Sequence, residues 1–181
     1  RDGPVAHAHC GEDKGDRMTK ADLQRFCSTD EIRWGMQEPW SRDDHSYATD
    51  GYTIIRVQRL SDVNENSSAP DAANLFTEAF GFQREYFPIP ELPPREIITC
   101  PVCSGKLIFE GEPCDTCIDE ETPGKIERIV RVDIGEALFN RNYLERLQSL
   151  PNVMIGVLAA EAPAWIKFDG GDGLLMPIRK D

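Results

Sequence analysis

Four cysteines in one short stretch of the sequence form two pairs with the spacing of a metal site. Cys100 and Cys103 make the first pair, Cys114 and Cys117 the second, and each pair encloses two residues. This spacing lets a tight backbone turn direct two sulfurs at one ion, and two such turns supply the four thiolates of a tetrahedral zinc site. Four protein ligands leave no open position for a substrate, so we expect this zinc to be structural.

The segment between the two pairs must bring the second pair back to the first. Ten residues separate Cys103 from Cys114, and residues 105–111 form a β-prone run that begins and ends with glycine. Such a run predicts a short hairpin. We therefore predict a zinc-ribbon insert over residues 96–122.

The same cysteines admit three other interpretations. A single Cys-x-x-Cys pair could carry out redox chemistry, four cysteines could hold an iron–sulfur cluster, and an even number could form disulfides. Two complete pairs at ribbon spacing favour zinc over all three. No apolar leader follows Arg1, so we expect a cytoplasmic, reducing environment in which the thiols remain free to bind metal.

The composition indicates a folded protein rather than a nucleic-acid coat. The chain has 181 residues, of which 40% are hydrophobic, and this length can bury a core without disulfides. A net charge of −12 opposes long-range attraction to a phosphate backbone, although it is compatible with a local basic face. The apolar runs, such as residues 153–160, are shorter than the roughly 20 residues that span a membrane, so we expect no membrane partner.

The sequence lacks the common catalytic motifs. There is no Gly-x-x-x-x-Gly-Lys-Ser/Thr phosphate loop, no Gly-x-Ser-x-Gly elbow and no His-Glu-x-x-His. Outside the first 17 residues the one histidine is His45, beside Ser46, in a segment that we predict to be a surface turn. We therefore expect that the protein is not an enzyme.

Residues 1–17 are polar, follow neither a strand nor a helix period, and are predicted to form a flexible tail. His7, His9 and Cys10 could bind a metal there. In a flexible polar tail, however, the preferred interpretation is that these residues have no metal-binding role. Beyond the tail, hydrophobic periodicity and turn residues predict helices at about 19–26, 29–36, 71–81 and 140–150. Strands are predicted at 47–60, with a turn at Asp50-Gly51, and at 126–134, 153–158, 164–168 and 173–178.

Two motifs near opposite ends of the chain resemble segments of the bacterial sliding clamp, the processivity subunit of the replicative polymerase. Ala48-Thr-Asp-Gly-Tyr-Thr-Ile54 is similar to the clamp's Ala-Thr-Asp-Gly-His-Arg-Leu, and Gly173-Leu-Leu-Met-Pro-Ile-Arg179 to its terminal Val-Val-Met-Pro-Met-Arg. Asp30-Glu-Ile-Arg-Trp-Gly-Met36 and Phe139-Asn-Arg-Asn-Tyr-Leu-Glu-Arg-Leu147 resemble clamp helices. The resemblance covers about residues 30–60 and 130–179, roughly half of the chain.

The resemblance implies an α+β fold in which helices pack on an antiparallel sheet. It would make residues 18–181 a single clamp-like domain, with the zinc ribbon inserted within it. A bacterial clamp has three such domains and no zinc insert, and its His-Arg is replaced here by Tyr52-Thr53.

The resemblance also implies two kinds of site. In the clamp, the matching residues line a pocket for short peptide tails of polymerases and repair proteins, which implies a peptide site at Thr49, Ile54, Met176, Pro177, Ile178 and Arg179. Clamp helices face DNA, which implies DNA contacts from Arg141 and Arg146 on the helix at 140–150.

Two functions follow from these observations. The first is a non-enzymatic, clamp-like accessory protein in DNA replication or repair, with DNA, replication or repair proteins and a second copy of the chain as candidate partners. The alternative is a zinc-ribbon adapter that docks on a protein and does not bind DNA. The acidic charge and the proline-rich arm at residues 88–101 favour this alternative.

Overall fold

The computed structural model describes residues 18–79, 84–117 and 122–179. Three helices lie in this part of the chain: α1 (Lys20–Gln24), α2 (Ala72–Ala79) and α3 (Arg141–Leu147). The strands are β1 (Trp40–Arg42), β2 (His45–Thr49), β3 (Thr53–Gln58), β4 (Glu85–Pro88), β5 (Glu96–Thr99), β6 (Ile108–Phe109), β7 (Glu112–Pro113), β8 (Lys125–Arg128), β9 (Arg131–Ile134), β10 (Ala137–Asn140), β11 (Met154–Val157), β12 (Ala164–Phe168) and β13 (Gly171–Leu175). Among these described residues, no helix is long and apolar enough to cross a membrane.

A seven-stranded sheet in the order β1-β2-β3-β13-β12-β11-β4 organises the fold. All six neighbouring pairs are antiparallel. At its centre β3 pairs with β13, so that Ile54 lies opposite Leu174. The two strands that carry the motifs are therefore neighbours in one sheet.

Each face of the sheet is covered by a different set of elements. Alternate residues of a strand point to opposite faces, so Ile55 and Val57 of β3 enter the larger core beneath α1, α3 and the β9–β10 hairpin. Ile54 enters a smaller core with Phe76 of α2. The predicted class, helices packed on an antiparallel sheet with a four-cysteine insert, is confirmed.

Two predicted helices have the expected capping and burial. Thr19 caps α1 with its hydroxyl, and the Asp22 carboxylate accepts the Thr19 amide in return at 2.9 Å. Asn140 caps α3, which buries Leu144 and Leu147 in the larger core, as their helical spacing predicts.

The helix predicted at residues 29–36 is wrong. These residues form successive turns, in which the Ile32 amide donates to the Asp30 carboxylate at 3.0 Å and Gly35 has a φ of +80°. An aspartate that accepts the amide two residues further on competes with helical hydrogen bonding, and a positive φ lies outside the helical region. Ile32 consequently lies in solvent.

Strands β1, β4, β5 and β10 were not predicted. Residues 40–45, expected to be a polar turn, contain β1, where Trp40 is buried and the Ser41 amide donates to the Asn64 carbonyl at 2.9 Å. The strand predicted at 126–134 divides into β8 and β9, and β10 follows as the partner of β9. These strands exist because distant residues bury and pair them.

Candidate metal centre and peptide groove

The four predicted metal ligands converge. All four cysteines are buried, and their sulfur atoms lie within 4.8 Å of one another. Cys100 Sγ lies 3.9 Å from Cys114 Sγ, and Cys103 Sγ lies 3.3 Å from Cys117 Sγ. A tetrahedral site with zinc–sulfur bonds of about 2.3 Å needs sulfurs about 3.8 Å apart, so this donor set fits zinc closely.

The β5–β8 stem and a pair of glycines hold the cysteines in place. Strands β5 and β8 pair along four residues, and just beyond them the Cys100 amide donates to the Gly124 carbonyl at 2.9 Å. Gly124 has a φ of +74°, and a Cβ atom there would lie 2.8 Å from the Gly105 carbonyl oxygen. A side chain at Gly124 would therefore separate the two ends of the insert.

Because the sulfur atoms lie close together, hydrogen bonds between neighbouring thiols change their pKa values. Burial opposes ionisation of Cys103, but hydrogen bonds from the Cys117 thiol and the Leu107 amide hold its pKa at about 6. Burial and the hydrogen bond with Cys103 raise the pKa of Cys117 above its ordinary value. A divalent cation suits this cluster because it replaces the shared protons and offsets part of the negative charge of the thiolates.

A groove of about 1030 Å³ runs between the sheet and the ribbon stem. Three residues of the predicted peptide site line it: Met176, Pro177 and Ile178. Two aromatic side chains, Tyr52 and Tyr143, line the same wall and stack with their ring centroids 5.6 Å apart. The rest of the lining comes from β5 and β8, from residues 129–131 and from Asn140.

The other predicted peptide-site residues lie elsewhere. Thr49 is buried, and its hydroxyl donates to the Thr53 carbonyl at 2.7 Å. Ile54 is packed in the smaller core. These two residues stabilise the hairpin that carries Tyr52 to the groove, while Arg179 is exposed just beyond Ile178.

Neither groove tyrosine was predicted from the sequence as a site residue. Tyr52 stands where the clamp motif has histidine, so this departure from the motif was the signal that could have identified it. Tyr143 lies within the segment that resembles a clamp helix, but only its contact with Tyr52 across the fold shows that it faces the groove.

The two arginines predicted to contact DNA are engaged within the protein. Arg141 is only 9% exposed, donates from Nε to the Pro93 carbonyl at 2.6 Å and forms an ion pair with Glu145. Arg146 forms an ion pair with Asp50 and lies over the Tyr143 ring. These contacts position α3 against the β2–β3 hairpin, and the DNA role of both arginines stays a prediction.

Among the described residues, the remaining candidate, His45, does not form a site with its neighbour Ser46. His45 begins strand β2, and its neighbour Ser46 points to the other face, where Ser46 Oγ hydrogen-bonds Ser41 Oγ at 2.7 Å. His45 and Ser46 thus cannot act as a base and its nucleophile. His7, His9 and Cys10, with the rest of the predicted tail, lie outside the described residues.

Solved structures of bacterial sliding clamps are similar to this chain. The clamp of Bacillus subtilis gives a TM-score of 0.47 at 14% identity, over 90% of this chain and 62% of the clamp. The DNA polymerase III beta subunit of Thermotoga maritima gives 0.46 at 12% identity, over 88% and 63%. A clamp from Bartonella birtlesii, bound to griselimycin, gives 0.41 at 17% identity, over 89% and 63%.

The chain thus spans about three fifths of the length of the clamps that it matches. No family model and no curated protein sequence matches it. The two motifs resemble segments of bacterial sliding clamps, and these solved structures are bacterial sliding clamps. At identities of 12–17% the likeness concerns the fold alone, and no function follows from it.

Proposed function

We propose that this protein is a non-enzymatic, clamp-like accessory protein in DNA replication or repair, whose ribbon holds one structural zinc ion. In this proposal the groove beside Met176 binds a short peptide segment of a replication or repair protein. One observation carries it: three residues of the terminal motif, selected for their similarity to the clamp, line a single groove together with Tyr52 of the other motif.

The groove has the chemistry that anchored side chains of a peptide need. Met176 and Tyr52 are 45% and 47% exposed, so their apolar surfaces are accessible. The Met176 amide donates to the Tyr52 carbonyl at 2.9 Å, which joins the two motifs at this wall. Burying an apolar side chain of a peptide against these surfaces would stabilise a complex by about 1.5–3 kcal/mol.

The ribbon itself supports the zinc proposal. In its described part the core consists of the four cysteines, with Ile126 packed against them, and β6 and β7 are two residues long. So small a core cannot offset the conformational entropy lost on folding, whereas metal binding contributes folding free energy directly. A structural ion explains how this insert holds a defined shape.

The test of the peptide site is a binding measurement with a fluorescently labelled peptide that binds bacterial sliding clamps. We expect wild type to bind it, and Met176→Ala to bind about tenfold more weakly, because truncating an interface anchor commonly costs more than 1 kcal/mol. Ile32→Ala is the matched control, since Ile32 is an exposed apolar residue outside the groove. An absence of binding by wild type at low salt would remove the peptide site and leave the zinc proposal standing.

The second candidate function is the zinc-ribbon adapter. The ribbon hairpin exposes Ile108 and Phe109 beside the carboxylates of Glu110 and Glu112, and an apolar tip with acidic neighbours suits a protein surface better than a phosphate backbone. The solution molar mass with and without duplex DNA separates the two functions. A clamp-like accessory predicts salt-sensitive DNA binding or self-assembly, whereas an adapter predicts a monomer without DNA affinity.

A further inference from the structure

The two walls of the groove come from different parts of the chain. Met176, Pro177, Ile178 and the two tyrosines belong to the body of the domain. The second wall contains Glu96, Ile98, Ile126, Glu127 and Arg128 of the ribbon stem, and residues 129–130 link this stem to β9. Without the stem, the apolar residues of the first wall would lie on an open surface rather than in a groove.

Two isoleucines connect this second wall to the cysteine cluster. Ile98 and Ile126 lie directly opposite each other on β5 and β8, and both line the groove. Ile126 also packs against the four cysteines. Because β5 leads directly into Cys100, whose amide is bonded to Gly124 just before β8, closure of the cluster sets the position of both isoleucines.

The stem has little other support. It is a two-stranded sheet of four residues per strand, and isolated two-stranded sheets are marginal in water. Arg128 pairs with Glu96 at 3.4 Å, and both side chains are largely exposed. Arg95, which precedes β5, pairs with Glu127 at 3.7 Å and with Glu145 of α3. Exposed pairs such as Arg128 with Glu96 contribute little, whereas a bound metal contributes folding free energy directly.

The charges around the groove indicate the character of its ligand. The groove is lined by two arginines and two glutamates, Arg128, Arg131, Glu96 and Glu127, so the charges of its lining balance. Arg179, exposed after Ile178, adds a further positive charge beside the groove. Because the charges of the lining balance, the added positive charge of Arg179 favours a peptide that carries an acidic residue.

We propose that the ribbon stem forms the second wall of the peptide groove and that zinc binding controls this wall. The ligand is an extended protein segment with apolar anchors and an acidic residue. This inference rests on the function proposed above for the groove. Zinc then acts on binding without touching the peptide, because it fixes Ile98 and Ile126, which line the same groove as Met176.

The coupling between metal and groove is measurable without any peptide. In protein labelled with ¹³C at isoleucine and methionine methyl groups, removal of zinc with a chelator should shift or broaden the signals of Met176 and Ile178, which lie outside the ribbon. The signals of Ile55 and Ile166, buried in the larger core, should stay in place. Changes confined to the ribbon isoleucines would overturn the inference, because they would show that the stem forms no wall against the body.

Matched variants test the second wall in binding. Ile98→Ala should weaken binding of the labelled clamp-binding peptide about fivefold to tenfold, and chelation of zinc at least as much. Ile97→Ala is the control, because Ile97 is the adjacent residue of the same strand, is exposed and does not line the groove. Zinc content measured for both variants shows whether the ribbon remains folded.

The outcomes separate this inference from the proposed function. If wild type binds the peptide and Met176→Ala does not, but Ile98→Ala and chelation leave the affinity unchanged, the one-walled peptide site stands and the inference falls. If wild type binds no peptide, the proposed peptide function is refuted. The methyl signals of Met176 and Ile178 then remain as the test of whether zinc controls the second wall of the groove. Loss of binding in Ile97→Ala to the same extent as in Ile98→Ala would also count against a wall built on one face of the stem.

Discussion

Arg56 and Asp172 lie 116 positions apart in the chain and are joined by two parallel hydrogen bonds, of 2.8 Å from Nε and 2.6 Å from Nη2. They are direct partners across β3 and β13, and the Phe76 ring lies 4.0 Å from the guanidinium carbon. The two side chains are 21% and 23% exposed. This pair ties the early strands of the sheet to its last strand where water is largely excluded.

Asp172→Asn should lower the free energy of unfolding by about 1–2 kcal/mol, because it leaves a partly buried guanidinium without its carboxylate. Urea denaturation measures the change. The matched control is Glu65→Gln, which breaks the exposed pair of Arg59 with Glu65 and should cost less than about 0.5 kcal/mol. Equal effects of the two substitutions would contradict a special role for the β3–β13 pair.

Metal analysis of reduced, natively purified protein should find about one zinc per chain. Cys103→Ser should release the metal and loosen the insert, while the seven-stranded sheet keeps its amide protection from hydrogen exchange, since its core lies outside the ribbon. Cys27→Ser is the control, because Cys27 is buried far from the cluster in the larger core and should leave zinc content unchanged. A wild-type preparation free of zinc would refute the metal centre.

Gly124→Ala should weaken zinc binding more than Gly111→Ala does. Both glycines have a positive φ, +74° and +89°, so alanine introduces backbone strain of about 1 kcal/mol at either position. At Gly124 the new Cβ also meets the Gly105 carbonyl at 2.8 Å, whereas at Gly111 nothing lies within 4 Å. Competition with a zinc chelator measures both affinities, and equal losses would show that the contact between Gly105 and Gly124 is unimportant.

Cys27 should resist alkylation in the folded protein at pH 8.5. Burial raises the pKa of the Cys27 thiol to about 12, so the folded state keeps it neutral while an unfolded chain ionises it near pH 8.5. Because the pKa of Cys27 is higher in the folded than in the unfolded state, its contribution to the free energy of unfolding is complete below the unfolded pKa. This contribution is lost as the pH rises towards 12. Mass spectrometry after brief iodoacetamide treatment, with and without urea, checks this, and rapid native labelling of Cys27 would contradict it.

Arg146→Gln separates a structural role of this arginine from a DNA role. Because Arg146 pairs with the largely buried Asp50 and lies over Tyr143, we expect the substitution to lower stability by about 1–3 kcal/mol. If Arg146 contacted DNA, the substitution would instead weaken binding to duplex DNA and reduce the salt dependence of that binding, with stability unchanged. Thermal unfolding and DNA titrations at two salt concentrations distinguish the two results.

Local patterns in the sequence determined much of this protein. The paired cysteines predict their own cluster because two-residue spacing is a property of the local backbone, and the sulfurs indeed converge. The Asp50-Gly51 turn and the Leu144–Leu147 stripe of α3 likewise depend on neighbours in the chain, and both are present. The joint presence of two short motifs indicated a clamp-like fold.

Only the tertiary structure decided which residues face the groove and which are buried. Burial by distant residues makes Trp40 part of a strand, and Arg141 is held by the Pro93 carbonyl, a contact that no periodicity reveals. The groove unites Tyr52, Met176 and Ile126, which come from three distant segments. Their proximity follows from strand pairing and from closure of the cysteine cluster, and long-range contacts of this kind leave no regular spacing in a sequence.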